Sequence, residues 1–257
     1  MENLNKTLDK IDPQRMREEA EENCRKSIST NPRYNWIREQ FPDDYPYRYE
    51  LYSKHLLFFK AGSGDNEGGC MAGNRVGETM TGACEMTCHL TGKYPDWWEG
   101  KRFDEPIEAW AAGTTAETTR DIMQTALLGR LTAEPGGDPN DPIGLGTGMI
   151  PLPCIRSTRP LLGSLRDAID TVYVWHVSGG TSILSFKSFE QGRPSFEGTS
   201  KHVVWLDEEC PYDIYLECLT RTLTTDGIIY ATADGPNGDG PTTAKSERAM
   251  PYDGATG

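Results

Sequence analysis

The chain has 257 residues, 36% of them hydrophobic, which suffices for one large α/β domain or a domain with appendages. With 39 acidic against 26 basic residues its net charge is −13, which argues against a broad basic surface for nucleic acid on this chain alone. A local basic loop, or contact made by an assembled ring, stays open.

The first twelve residues are polar and no long apolar run follows, so neither a signal peptide nor a membrane span is expected. Seven scattered cysteines read as reduced thiols of an intracellular protein. Cys84 and Cys88 stand one helical turn apart beside His89, but no second pair has ligand spacing, and they read as small core residues.

In chain order, 1–30 is strongly charged and 14–26 has the composition of a solvated helix. The stretch 32–52 is rich in tyrosine and proline, and 54–59 reads as a buried helical turn. A glycine-rich loop, 62–69, leads to a strand ending near Ala72. Apolar positions then recur every three to four residues over 80–90, which predicts a helix closed by Gly92.

An aromatic loop, 94–103, precedes a strand over 107–112 and a helix over 116–128 ended by Gly129. The stretch 132–150 reads as a long loop and 164–168 as a short helix. Two β-rich runs, 172–177 and 182–189, form a hairpin in which His176 is structural. A strand over 203–206 follows, then a helix over 214–223 capped by Asp213, then a strand over 228–232. Strands alternating with helices predict a mainly parallel, covered sheet. From Asp234 onward the composition predicts a disordered tail.

Three stretches carry chemistry. Gly73-Asn74-Arg75-Val76-Gly77-Glu78-Thr79 lies between a strand and a helix, the setting of a phosphate-binding loop. Its backbone N–H groups would face phosphates at a helix N-terminus, and Thr79 would offer its hydroxyl to Mg²⁺. The lysine usual before the hydroxyl residue is Glu78 here. Second, Val203-Val204-Trp205-Leu206 delivers Asp207 and Glu208 to the end of a buried strand, where α/β sheets bind ligands. Asp207 would serve Mg²⁺ and Glu208 the attacking water. A solvated acidic turn is the bland reading. Third, Arg193 in Gln191-Gly192-Arg193 would stabilise charge on a transferred phosphoryl group, in its own subunit or a neighbour's. Tyr52 and His55 would flank an adenine by stacking and hydrogen bonding, or else simply pack in the core, which is the stronger reading of those residues alone. No Gly-x-Ser-x-Gly element is present to suggest serine hydrolase chemistry.

Taken together the chain resembles the N-terminal ATPase half of the large terminase subunit of tailed bacteriophages. The likeness is carried by LYSKHLLFFKAG (51–62), MAGNRVGET (71–79), HLTGKYPDWWEGKRFDEPIEAWAAGTT (89–115), TTRDIMQTALLG (118–129), GTGMIP (146–151), HVSGGTSILSFKSFEQGRPSFEGT (176–199) and VVWLDEECPYDIYLECLTRTLTTDG (203–227). The resemblance implies an additional-strand P-loop NTPase fold with three parts: an arm or lid over 1–44, the ATPase domain over 45–233 and a low-complexity tail over 234–257. It implies an ATP- and Mg²⁺-dependent motor that works in the host cytoplasm. This motor would form a homo-oligomeric ring with the portal protein and the small terminase subunit, and would drive double-stranded DNA into a procapsid. By matching position, Gly73 to Thr79 is the phosphate loop, Asp207 the metal-side acid, Glu208 the catalytic glutamate and Arg193 a trans-acting arginine; Tyr52 and His55 fall on the adenine side.

This sequence departs from the family pattern in three ways. The family's loop resembles GNRVGKT, with lysine at the position of Glu78. Thr232 survives from a Thr-x-Thr-Pro-like coupling segment, without its proline. The family's nuclease domain has no counterpart before Gly257, so no nuclease activity is expected. Glu78 leaves a second reading, a degenerate or truncated homologue that keeps the fold with little ATP turnover. Arg75, Lys101 and Arg102 are the cations that would compensate.

Overall fold

The computed structural model describes residues 49–72, 77–131, 144–163, 165–234 and 242–243. The arm over 1–44, residues 73–76 of the phosphate loop with Arg75 among them, and most of the tail lie outside them.

One eight-stranded sheet organises the chain. Its strands are β1 (Glu67–Ala72), β2 (Glu108–Gly113), β3 (Ile155–Pro160), β4 (Ile169–Trp175), β5 (Thr181–Ser188), β6 (Val203–Asp207), β7 (Ile228–Asp234) and β8 (Thr242–Thr243), in the order β3-β4-β5-β2-β6-β7-β1-β8. The central run β5-β2-β6-β7-β1 is parallel throughout. Strands β4 and β3 extend it antiparallel on one side, and β8 pairs antiparallel with Cys70 and Met71 of β1 on the other. Thr242 and Thr243, read from the sequence as tail, therefore return to the sheet. Strand β7 lies between β1 and the acid-bearing β6.

The buried strands are continuous apolar runs because both faces are covered: all five residues of β6 are buried. One face packs against helices α1 (Ser53–Ala61), α2 (Glu78–Thr91) and α3 (116–128), with Phe58, Phe59, Met86, Leu90, Leu127, Leu184 and Trp205 in its core. The other face packs Trp110, Val204, Leu206, Phe196 and Ile229 against α4 (Tyr212–Thr222).

Helix α3 spans 116–128 in three parts: Ala116–Thr118 and Thr125–Leu128 are α-helical and Thr119–Gln124 is π-helical. It starts at a Thr115 capping box, with Glu190 Oε1 accepting from Ala116 N, and ends at Gly129 with φ 99°. Helix α2 ends at Gly92 with φ 68°, as its sequence requires. The aromatic loop after it packs Trp98 onto Phe59 at 4.8 Å, and Cys84 and Cys88 lie in the core.

Two local expectations are corrected. The short helix over 164–168 is absent from residues 165–168, which instead turn between β3 and β4, with Asp167 at φ 59°. Gln124 explains why. Its amide donates to Asp167 O and accepts from Ile169 N, each at 2.7 Å, so a side chain satisfies backbone groups that a helical turn would otherwise use. Asp213 is not the cap of α4; Pro211 holds that position, and Asp213 lies in the first turn, where an acid still favours the helix dipole.

Helix α2 also buries polar groups. Tyr94 Oη accepts from Phe103 N at 2.8 Å and is hydrogen-bonded to His89 Nδ1 at 3.0 Å. The other ring nitrogen, Nε2, lies 3.5 Å from Glu85 Oε1. Burial pushes Glu85 well above the usual carboxyl range, and burial with help from Lys101 pulls His89 down to about 3. The pair is therefore an acid beside a neutral imidazole, not an ion pair.

Candidate active site

The carboxyl ends of the parallel strands form one row: Ala72 on β1, Asp234 on β7, Asp207 on β6, Gly113 on β2 and Ser188 on β5. Every sequence-predicted chemical group that falls in the described residues follows from this row, apart from Tyr52 and His55.

Helix α2 begins at Glu78, within the stretch Gly73 to Thr79 expected to bind phosphate. Gly77, its N-cap, has φ 92°, a conformation that glycine tolerates, and no side chain among the described residues caps the helix. The first N–H groups of a helix have no partner within it, so this end suits an anion. Thr81 does not fill that role, because its hydroxyl donates back to Gly77 O at 2.8 Å. Tyr52 precedes α1 and His55 lies on its first turn, with their rings in edge contact at 5.8 Å. His55 Nε2 is 3.9 Å from where a Cβ on Gly77 would stand, so α1 lies beside the start of α2.

Glu78 and Thr79 open α2, both half-buried. Glu78 Oε2 is buried and has no hydrogen-bond partner among the described residues. Burial first, then the charge of Glu78, pushes the Cys70 thiol up to about 12, which places Glu78 close to the end of β1. An acid at the first helical position itself complements the helix dipole.

Two of the proposed compensating cations are elsewhere. Lys101 Nζ is 2.9 Å from Asp226 Oδ2, just before the start of β7. Arg102 donates to Trp98 O at 3.2 Å and covers the Tyr94 ring at 5.0 Å. Both follow the far end of α2, about 20 Å along the helix from Glu78. Lys101 and Arg102 therefore do not stand in for the missing lysine.

Asp207 and Glu208 stand at the end of β6. Asp207 is buried, and its Oδ1 accepts from the Thr232 hydroxyl at 2.5 Å. Glu208 is exposed and has φ 71°, a left-handed conformation costly for a non-glycine residue. Its N–H donates to Thr232 O at 2.7 Å, which holds that turn. The two adjacent acids are therefore not on opposite faces of a strand, because the chain turns between them.

Arg193 follows β5, two strands from β6 and four from β1. Its guanidinium pairs with Glu217 Oε2 on α4 at 3.0 Å, and Glu217 also holds Arg221 at 2.7 Å. The structure thus places Asp207 and Glu208 at the end of β6 and Glu78 and Thr79 on the helix that follows β1, two strands away, and holds the Arg193 guanidinium against α4.

A model of the terminase large subunit, T4likevirus-type, N-terminal, matches residues 70–237. The chain belongs to the large terminase subunit family. The large terminase subunit of Salmonella phage P22 is 40% identical over 195 residues, covering 68% of this terminase chain and 37% of its own length. The chain therefore spans little more than a third of that curated relative. The large terminase of a thermophilic bacteriophage aligns with a TM-score of 0.46 at 13% identity, over 70% of this chain and 37% of that one. The complex of that same terminase with ATP-gamma-S aligns with a TM-score of 0.44 at 13% identity, over 70% and 36%.

Sequence reading missed the groups that hold the terminase acids in place. Trp205 looks like one more apolar strand residue, yet its indole N–H donates to Thr232 Oγ1 at 2.7 Å. Gly82 looks like a helix weakness, yet a Cβ there would come within 2.6 Å of the Trp205 ring. The available signal was spacing: Trp205 and Asp207 are two apart on a strand and share a face.

Proposed function

We propose that this terminase chain is a P-loop ATPase domain that binds ATP with Mg²⁺ and hydrolyses it to move double-stranded DNA into a procapsid. The observation that carries this reading is the row of strand ends. It sets an uncapped helix N-terminus two strands from an ordered Asp207–Glu208 pair, with the inserted β7 between them. The loop from Gly73 to Thr79 would receive the phosphates, and Tyr52 and His55 the adenine side. Thr79 and Asp207 offer the hard oxygen ligands that suit Mg²⁺, which would neutralise phosphate charge when bound. Glu208, held outward by its left-handed turn, would orient the attacking water. Arg193, half exposed and held by Glu217 on α4, would act on a phosphoryl group in a neighbouring copy of a ring. The further partners of this reading are the portal protein and the small terminase subunit, in the host cytoplasm. The reading keeps the proposed division into an arm over 1–44, the ATPase domain over 45–233 and a tail over 234–257.

A second reading has its own observation. Glu78 brings negative charge to the helix end that phosphate needs, and Lys101 and Arg102 are committed elsewhere. Two unit charges about 4 Å apart interact by about 4 kcal/mol at an effective dielectric near 20. On this reading the chain keeps the fold and turns over little ATP. Steady-state ATP hydrolysis by the chain, its Glu78→Lys variant and its Glu208→Gln variant separates the two. Turnover by the unmodified chain that Glu208→Gln abolishes supports the active motor domain. Turnover only in Glu78→Lys supports the degenerate copy. Turnover in neither sinks the ATPase reading of the isolated chain.

A further inference from the structure

Trp205, Thr232 and Asp207 form a closed chain of hydrogen bonds inside the sheet–helix core. Asp207 and Thr232 are register partners across β6 and β7, and Trp205 partners Tyr230. Trp205 and Thr232 are fully buried and Asp207 nearly so. An indole nitrogen can only donate, and a threonine hydroxyl has one proton. Because Trp205 Nε1 donates to Thr232 Oγ1 at 2.7 Å, the hydroxyl proton is directed to Asp207 Oδ1, 2.5 Å away. Without the indole N–H, that hydroxyl would lose the partner that fixes its direction.

The same ring is anchored to the phosphate-loop helix. A side chain at Gly82 would meet Trp205 atoms at 2.6 to 2.8 Å, so glycine lets the indole lie against the α2 backbone. Tyr230 stacks on Trp205 at 6.1 Å and donates its hydroxyl to Gly82 O at 2.8 Å. Helix α2 therefore touches the indole directly, and the indole touches Asp207 through one hydroxyl. A shift of α2 when its N-terminus meets phosphate has a continuous packed route to the acid, with no loop in between.

We propose that Trp205 is a positioning residue. It fixes the Thr232 hydroxyl on Asp207 and couples that acid to the phosphate-loop helix through Gly82. This rests on the nucleotide-site reading above, and it adds a residue with no direct contact to nucleotide or metal.

The test is ADP binding by calorimetry to the full chain, as it stands and with Glu78→Lys, in Mg²⁺ and again in EDTA. The ratio of the two affinities is the contribution of the metal. Trp205→Phe, which keeps an aromatic ring, and Thr232→Val, which keeps shape, should each lower that ratio about tenfold, the size expected when a group supporting a metal ligand is removed. Affinity in EDTA should stay within about twofold, and Thr232→Ser should restore the ratio. The double variant should match Thr232→Val alone, because both act through one bond chain. Equal losses with and without Mg²⁺ would mean a packing role only and overturn the inference. So would an unchanged ratio in both variants. If neither background binds ADP under any condition, the nucleotide-site reading itself falls, and this inference with it.

Discussion

Arg193 and Glu217 are joined by two contacts, from Nε at 3.2 Å and Nη2 at 3.0 Å to the same carboxylate oxygen, and this ties the turn after β5 to α4. The arginine is half exposed while the glutamate is nearly buried. Arg193→Ala leaves Glu217 with Arg221 and should cost less than about 1 kcal/mol in urea unfolding. If Arg193 acts on a neighbour, the substitution leaves nucleotide affinity intact. It then removes only the part of ATP turnover that rises with protein concentration. Loss of turnover at all concentrations would point to a role within its own subunit.

Glu78→Lys should strengthen ATP binding by two or more orders of magnitude, since a unit charge beside phosphate changes sign at about 4 kcal/mol per close pair. It should also lower thermal stability slightly without ligand, because an acid in the first helical turn contributes about 0.3–1 kcal/mol with the dipole and a base opposes it. Calorimetric binding and a melting curve on the same preparation read both effects. Stronger binding accompanied by higher stability in the unliganded protein would contradict the dipole argument.

Gly82→Ala places a methyl group against the Trp205 ring. Overpacking of this kind costs about 1–3 kcal/mol, visible as a lower urea midpoint with an unchanged slope. Gly82→Ala combined with Trp205→Phe should recover part of that loss. No recovery would mean that the ring is not what the methyl group meets.

Glu85→Gln should raise stability on the alkaline side. Burial raises the folded-state value of Glu85, so its contribution is complete below the unfolded value near 4.5 and is lost as pH rises through the folded value. His89 runs the other way. Its folded value is depressed to about 3, so its contribution is present above the unfolded value near 6.5 and declines as pH falls toward 3. Unfolding free energy measured from pH 7 to 9, above the window in which His89 opposes the trend, should fall with pH in the unmodified chain, and the decline should flatten in Glu85→Gln. Parallel curves would place the Glu85 proton elsewhere.

Much of this fold was legible because buried strands and covered helices write continuous or periodic apolar runs. The runs at 107–112, 172–177 and 203–206 and the helical periods at 80–90 and 116–128 all fall on elements. Strand β3 was not legible: Ile155–Pro160 has an arginine at every third residue, a terminal proline and mostly exposed positions, so no face-specific pattern survives. The turn at 165–168 was misread because its backbone is satisfied by Gln124, forty residues earlier in the chain. At the site, the acids were legible from their place after an apolar strand. The Trp205–Thr232 bond was not, since a tryptophan serving as a donor is spelled like one serving as filler.

The outer strands carry a consequence for how copies of this chain can meet. Strand β3 has register shifts at Ile155/Ser157 and Arg159/Pro160, places Arg156 and Arg159 outward and ends in proline. At the opposite border, β8 is two residues long. Interrupted pairing, charge and proline are the devices that stop a sheet from recruiting a foreign strand. Within the described residues the sheet is thus finished at both borders. Neighbouring copies would have to touch through helices and loops, whose contacts can be made and released many times without unravelling either fold.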